Sequence, residues 1–190
     1  EAAMEDFAKA VELDGESAPA LKRYAKSLCE AGHTGEGLVY YDDLVELRPE
    51  DTAALLGRAN CYEIDQSWQD ALADYLAVAE MEDQNAAAAA GAGRMYVREK
   101  MFEEAEQYLN RSLELEPAAS TYNALGLVHF QAHEYELALE AFQEGRAMDA
   151  SNASLTANLA LAAFMMQDFE LAEEAVAAAE ALQPGVGEIS

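Results

Sequence analysis

The sequence predicts an all-α fold, a right-handed superhelical solenoid of antiparallel helical hairpins, and three observations carry that prediction. Apolar and small residues recur in register every 33 or 34 positions. Hydrophobic residues make up 52% of the chain, much of it alanine, the strongest helix former. Only four prolines interrupt 190 residues, and three of them, Pro49, Pro117 and Pro184, fall where a helix should stop.

The period is read from five columns. The apolar residue before each turn runs Leu13, Leu47, Met81, Leu115, Met148 and Leu182, in steps of 34, 34, 34, 33 and 34. A small residue follows the same steps at Ala3, Gly37, Ala71, Ala105, Ala138 and Ala172, with Phe7, Tyr41, Tyr75, Leu109, Phe142 and Val176 four places on. The preceding helices carry Ala25, Ala59, Gly93, Gly126 and Ala160, then Leu28, Tyr62, Tyr96, His129 and Ala163. Small residues belong where two helix backbones cross closely. The large residues three or four places later share a face and fill the gap between hairpins.

The elements follow in order: half a hairpin at 1–17, hairpins at 18–51, 52–85, 86–118, 119–152 and 153–186, and a short tail at 187–190, read together as one domain. Asp51, Asn85, Ser120 and Asn152 are the expected caps of first helices. Trp68, Phe102, Tyr135 and Phe169 open second helices and are expected to plug the space beside the turn. The single step of 33 comes from a turn shortened around Pro117, Ala118 and Ala119. The hairpin at 18–51 departs most, with Gly37 in the alanine column and Thr34 in the aromatic one, and is expected to be looser. The run Ala86 to Ala90 is expected to leave the middle of the inner surface open.

Charge and composition exclude several functions. Thirty-seven acidic residues against 11 basic ones leave a formal charge of −26, which repels nucleic acid and anionic lipid. No apolar stretch is long enough to span a membrane. The sequence lacks a signal-peptide pattern and an initiating Met, and Glu1 opens inside a helical pattern, so it reads as a segment of a longer chain. Cys29 and Cys61 form no metal or redox motif and are expected to be free, partly buried thiols. His129 and His133 have a spacing that can hold a metal, but His129 falls in a packing column and His133 in a turn, so the pair reads as structural or solvent-facing. Pairs such as Glu103/Glu104 and Glu173/Glu174 suit the first turn of a helix. With no phosphate loop or nucleophile elbow, no enzyme and no cofactor is expected.

The columns, with the segments LNRSLELEP and ALGLVHFQAHEYELALEAFQEG, resemble the tetratricopeptide repeat family over essentially the whole chain. The alanine-rich, lysine-poor composition points to a bacterial array. The resemblance implies a concave groove lined by first helices and used for protein–protein interaction. Its ligand-contacting positions fall here on Lys22, Lys26, Asn60, Arg94, Arg98, Asn123, Leu127, Phe130, Asn158, Phe164 and Met165. Lys22 and Lys26 share one helix face, as do Arg94 and Arg98, and cations there suit an acidic segment or a C-terminal carboxylate. The asparagines suit a peptide backbone, and the apolar end suits side chains. Gly57 and Gly91 stand where the family's carboxylate clamp needs polar residues, so a chaperone-tail receptor is disfavoured. The alternative to peptide binding is a spacer or self-association element, giving a homo-oligomer.

Overall fold

The computed structural model describes residues 17–183. The half hairpin at 1–17, with Ala3, Phe7 and Leu13, lies outside the described residues apart from Ser17, as do Pro184 and the tail. Ten helices, and no strand, make up the described residues: α1 (Ala18–Glu30), α2 (Thr34–Leu47), α3 (Thr52–Asp65), α4 (Trp68–Met81), α5 (Ala86–Arg98), α6 (Phe102–Leu115), α7 (Ala119–Gln131), α8 (Tyr135–Met148), α9 (Ala153–Met165) and α10 (Phe169–Leu182). They fall into two compact units divided between Met95 and Tyr96.

In the first unit, α1 packs on α2 and α3 on α4, and α1 and α3 also touch directly. Ala25, Ala59 and Ala71 are fully buried at the close crossings, and Tyr41 and Tyr75 are 1–2% exposed. Each such side chain contributes roughly 1.5–3 kcal/mol through apolar burial. Glycine is required beside both rings. A Cβ on Gly57 would lie 2.4 Å from the Tyr41 hydroxyl, and one on Gly91 would lie 2.4 Å from the Tyr75 ring. The alanine run is therefore no gap: Ala88 packs with Leu55 and Val78, and Ala88 to Ala90 are buried. The expected widening is corrected, because α5's small face is occupied by the aromatic ring and aliphatic side chains of its own unit.

In the second unit, Ala105, Leu109, Ala124 and Val128 form one cluster and Ala138, Phe142, Leu159 and Ala175 another. Leu127 and Phe130 are half-buried against the latter. The column of residues that close the second helices stays in solvent, from Leu47 at 77% exposed to Leu115 at 38%.

Local chemistry sets the boundaries. Asp51, Asn85 and Asn152 accept from the amides of Ala54, Ala88 and Leu155 and so cap α3, α5 and α9. Ser120 does not cap α7. The shortened turn puts Ala118 at the cap position, with no side-chain bond, and Ser120 is already helical. At the hairpin turns, Gly32, Gln66, Lys100, His133 and Gln167 all adopt positive φ, between 60° and 86°.

The two cysteines are joined. Cys29 of α1 and Cys61 of α3 form a disulfide with Cα atoms 5.4 Å apart, which corrects the expectation of free thiols. A crosslink over a separation of 32 residues stabilises by about 4 kcal/mol through chain entropy. Gly37 fits the same arrangement. A Cβ there would lie 2.3 Å from Cys29 Sγ and 2.9 Å from the Ala25 carbonyl oxygen. The departure from alanine in this column makes room for the crosslink, which ties this hairpin to the next one.

Candidate functional site

The first helices of the first unit enclose a cleft of about 720 Å3. Lys22, Arg23 and Lys26 come from α1, four residues or fewer apart and on neighbouring faces. Leu56, Gly57, Asn60 and Ile64 come from α3, while Tyr41 and the Cys29–Cys61 pair also reach its lining. Gly57 has a clear role here: without a Cβ, it lets the Tyr41 ring lie across α3. The Tyr41 hydroxyl is 3.4 Å from the Lys22 carbonyl oxygen. Burial, aided by the charge of Glu30, pushes this phenol up to about 12.

The cations differ in what they already hold. Lys22 Nζ donates to both Asp51 oxygens, at 2.9 and 3.0 Å. Burial alone would raise the Asp51 carboxyl, but the bonds from Lys22 and the Ala54 amide, with the charges of Lys22 and Arg48, hold it below the usual range. Lys26 reaches Glu30 only at 3.6 Å, with both side chains largely in water. Arg23 is exposed and forms no ion pair among the described residues.

Asn60 and Arg94 belong to a second network. The Tyr75 hydroxyl donates to the Glu63 carboxylate, and Asn60 Oδ1 lies 2.9 Å from the same hydroxyl. Arg94 Nη2 donates to the same carboxylate at 2.6 Å, and its guanidinium stands 5.9 Å from the Tyr75 ring centre. Burial opposes the Arg94 charge, but Glu63 outweighs it and raises the pKa. The network ties α3, α4 and α5 together and commits Arg94 to a carboxylate of its own chain. Sequence reading missed that partner because Glu63 lies 31 residues earlier.

A third network was also missed. Arg58 donates to Asp74 through Nε and Nη2 and to Asp42 through Nη1, all at 2.8 Å, and sits over Tyr62. Its signal was the arginine itself, one of only 11 basic residues, placed inside a first helix.

In the second unit, Asn158 Nδ2 donates to Asn123 Oδ1 at 2.9 Å, joining α9 to α7. Leu127 and Phe130 pack into the core, whereas Phe164 is 58% and Met165 44% exposed. The expected apolar half thus divides into two packing residues and two surface residues. Phe164 stacks edge-on with Phe169 at 5.7 Å. Arg98 ends α5 and is exposed. His129 Nδ1 lies 2.8 Å from Glu134, and His133 Nδ1 lies 2.8 Å from the Tyr135 hydroxyl. Among the described residues, no group of three potential metal ligands comes together, and no helix is long and apolar enough to cross a membrane.

Family profiles described as tetratricopeptide repeat match residues 23–80, 86–118 and 123–186. Solved structures share the fold at low identity. YrrB, a TPR protein with an unusual peptide-binding site, is 22% identical over 97% of each chain, with a TM-score of 0.70. MamA from Desulfovibrio magneticus is 18% identical over 88% of this chain and 96% of its own, with a TM-score of 0.76. Another MamA structure is 18% identical over 84% and 94%, with a TM-score of 0.74. No curated protein matches the chain significantly.

Proposed function

This chain belongs to the tetratricopeptide repeat family, and we propose that it is a protein–protein interaction scaffold whose first helices hold a peptide or protein segment. One observation carries the reading. In a chain of −26 formal charge, Lys22, Arg23 and Lys26 gather on a single cleft of about 720 Å3, where Glu63 is already held by Arg94 and Glu30 lies 3.6 Å from Lys26. A cleft that concentrates scarce cations attracts carboxylates against the field of the rest of the molecule.

Arg23 and Lys26 are the groups to meet an acidic side chain or a C-terminal carboxylate, since Lys22 already holds Asp51 and Arg94 holds Glu63. Tyr41, Leu56 and Ile64 offer apolar surface beside them. In the second unit, the Asn123–Asn158 pair keeps one amide NH2 and one amide carbonyl unengaged by the other asparagine, suited to an extended peptide backbone. The peptide-binding site named for YrrB is in keeping with this class of function.

The test is retention of a pool of hexapeptides bearing a free C-terminal carboxylate and two further acidic positions. The parent chain is expected to retain the pool, and Arg23→Glu with Lys26→Glu to weaken retention about tenfold or more with helicity unchanged. Equal retention by parent and variant refutes the reading.

Self-association is a second reading, favoured by Phe164 and Phe169, which are 58% and 55% exposed. It predicts a mass above 20.6 kDa that rises with concentration in light scattering and returns to monomer in Phe164→Asp.

A further inference from the structure

We infer that the Cys29–Cys61 disulfide is a redox latch on the first-unit cleft, its oxidation state setting the separation of the two helices that wall it. The inference rests on the peptide-binding reading only for its consequence; the latch itself stands on packing.

Two ties join α1 to α3. One is the Lys22–Asp51 ion pair at the start of the cleft, and the other is the disulfide. Along α1 they are seven residues apart, about 10 Å, so they hold two separate points of the wall. Both sulfur-bearing residues line the cleft while being almost wholly buried, at 3% and 1% exposed.

The surroundings are shaped to a bonded pair. The space beside Cys29 Sγ exists only because residue 37 is glycine, with the Ala25 carbonyl and the Cys29 amide closing its other sides. Cys61 Sγ lies 3.7 Å from the Thr34 carbonyl oxygen. Two thiols need a non-bonded separation and carry two additional hydrogens. With α2 packed against both sulfurs, the room has to come from moving α1 away from α3. That motion pivots on Lys22–Asp51 and opens the end of the cleft lined by Cys29, Glu30 and Ile64.

The chemistry is ordinary thiol–disulfide exchange. A thiolate of an external dithiol attacks one sulfur, its second thiol resolves the mixed disulfide, and the reagent leaves as its own disulfide. Two electrons and two protons pass to Cys29 and Cys61, which end as thiols. Binding and redox state are then linked reciprocally: if the oxidised cleft holds a ligand better, the ligand shifts the equilibrium toward the disulfide by the same factor.

The test compares the full chain before and after treatment with dithiothreitol. Amide hydrogen exchange is followed in α1 and α3, and retention of the acidic hexapeptide pool is measured on both forms. Exchange in Lys26–Glu30 and Asn60–Asp65 is expected to quicken about tenfold or more on reduction, with α7–α10 unchanged and retention falling. Cys61→Ala provides a non-reducible comparison, expected to match the reduced parent in both readouts. Unchanged exchange in α1 and α3 overturns the latch, as does measurable retention of the pool that is equal in the oxidised and reduced protein. Faster exchange with no retention by either form supports the latch and overturns the peptide reading instead.

Discussion

Gly37 faces Cys29 Sγ so closely that a Cβ at residue 37 would lie 2.3 Å from it. Gly37→Ala therefore pits a methyl group against the crosslink. The same methyl would meet the Ala25 carbonyl at 2.9 Å, so the reduced protein also loses stability. In urea denaturation the oxidised variant is expected to lose about 1–3 kcal/mol, and more than the reduced variant loses. Identical losses in the two states would mean that the sulfur is not what the glycine accommodates.

Gly57 and Tyr41 make the corresponding pair inside the cleft. Gly57→Ala drives a Cβ into the Tyr41 ring, from which it would stand 2.4–2.5 Å, at an expected cost of about 1–3 kcal/mol. The steric origin is checked by a cycle with Tyr41→Leu. The added methyl is expected to cost less once the ring is gone, and a loss that stays the same denies the contact.

How much of this was legible in the sequence depends on what each residue needs from its partners. The repeat and its helical hairpins were readable because small and large residues recur in register, and burial of Ala25, Ala59, Tyr75 and Phe142 follows the columns. The apolar column closing the second helices kept the same period but stays in water. It marks the repeat without building the core. The disulfide was hidden because Cys29 and Cys61 are 32 residues apart, two short of the period, and so occupy different columns. Their one trace was Gly37. The first-helix caps Asp51, Asn85 and Asn152 were readable because their turns have standard length, and Ser120 failed where the turn lost a residue. At the site, Lys22, Lys26 and Asn60 come together on one cleft. Arg94 was legible as a cation but not as a committed one, because its claim on Glu63 exists only after the hairpins stack.

Tyr41 supplies a pH dependence with a definite sign. Burial pushes its pKa up to about 12, whereas an unfolded tyrosine ionises near 10. Below pH about 10 both states keep the proton and the full stability is present. Above it the unfolded chain ionises first, so stability falls as the pH rises from about 10 toward 12. Burial also raises the Tyr75 pKa, with Glu63 adding to the shift, and steepens the same decline. Urea midpoints measured from pH 8 to pH 11.5 are expected to decrease at the alkaline end, and less steeply in Tyr41→Phe. An unchanged slope in that variant denies Tyr41 the role.

Gln167, two residues past the end of α9, lies in the left-handed region, with φ 63°, a conformation in which a side chain is strained and glycine is not. Gln167→Gly is expected to raise stability by roughly 0.5–1 kcal/mol, read as a higher midpoint in thermal unfolding. Gly32 already occupies the equivalent turn of the first hairpin at φ 86°. Gly32→Gln is expected to lower the midpoint by a similar amount. If both variants move in the same direction, backbone strain is not the cause.

Arg58 and Asp74 make the sharpest energetic case, because the Asp74 carboxylate is 8% exposed and the arginine side chain 19%. The hydrogen bonds to Asp74 raise the Arg58 pKa above its already high value, so the guanidinium stays charged throughout the folded range. Arg58→Met removes the charge and both donors while keeping most of the apolar stem. It leaves Asp74 buried without a counterion, and the expected loss is roughly 2–4 kcal/mol. Asp42, 55% exposed, can return to water and adds little. Replacing both partners, Arg58→Met with Asp74→Leu, removes the stranded charge, and stability is expected to return to within about 1 kcal/mol of the parent. A double variant as unstable as the single one would show that the arginine acts through packing on Tyr62, which lies 5.8 Å from its guanidinium carbon, rather than through the carboxylate.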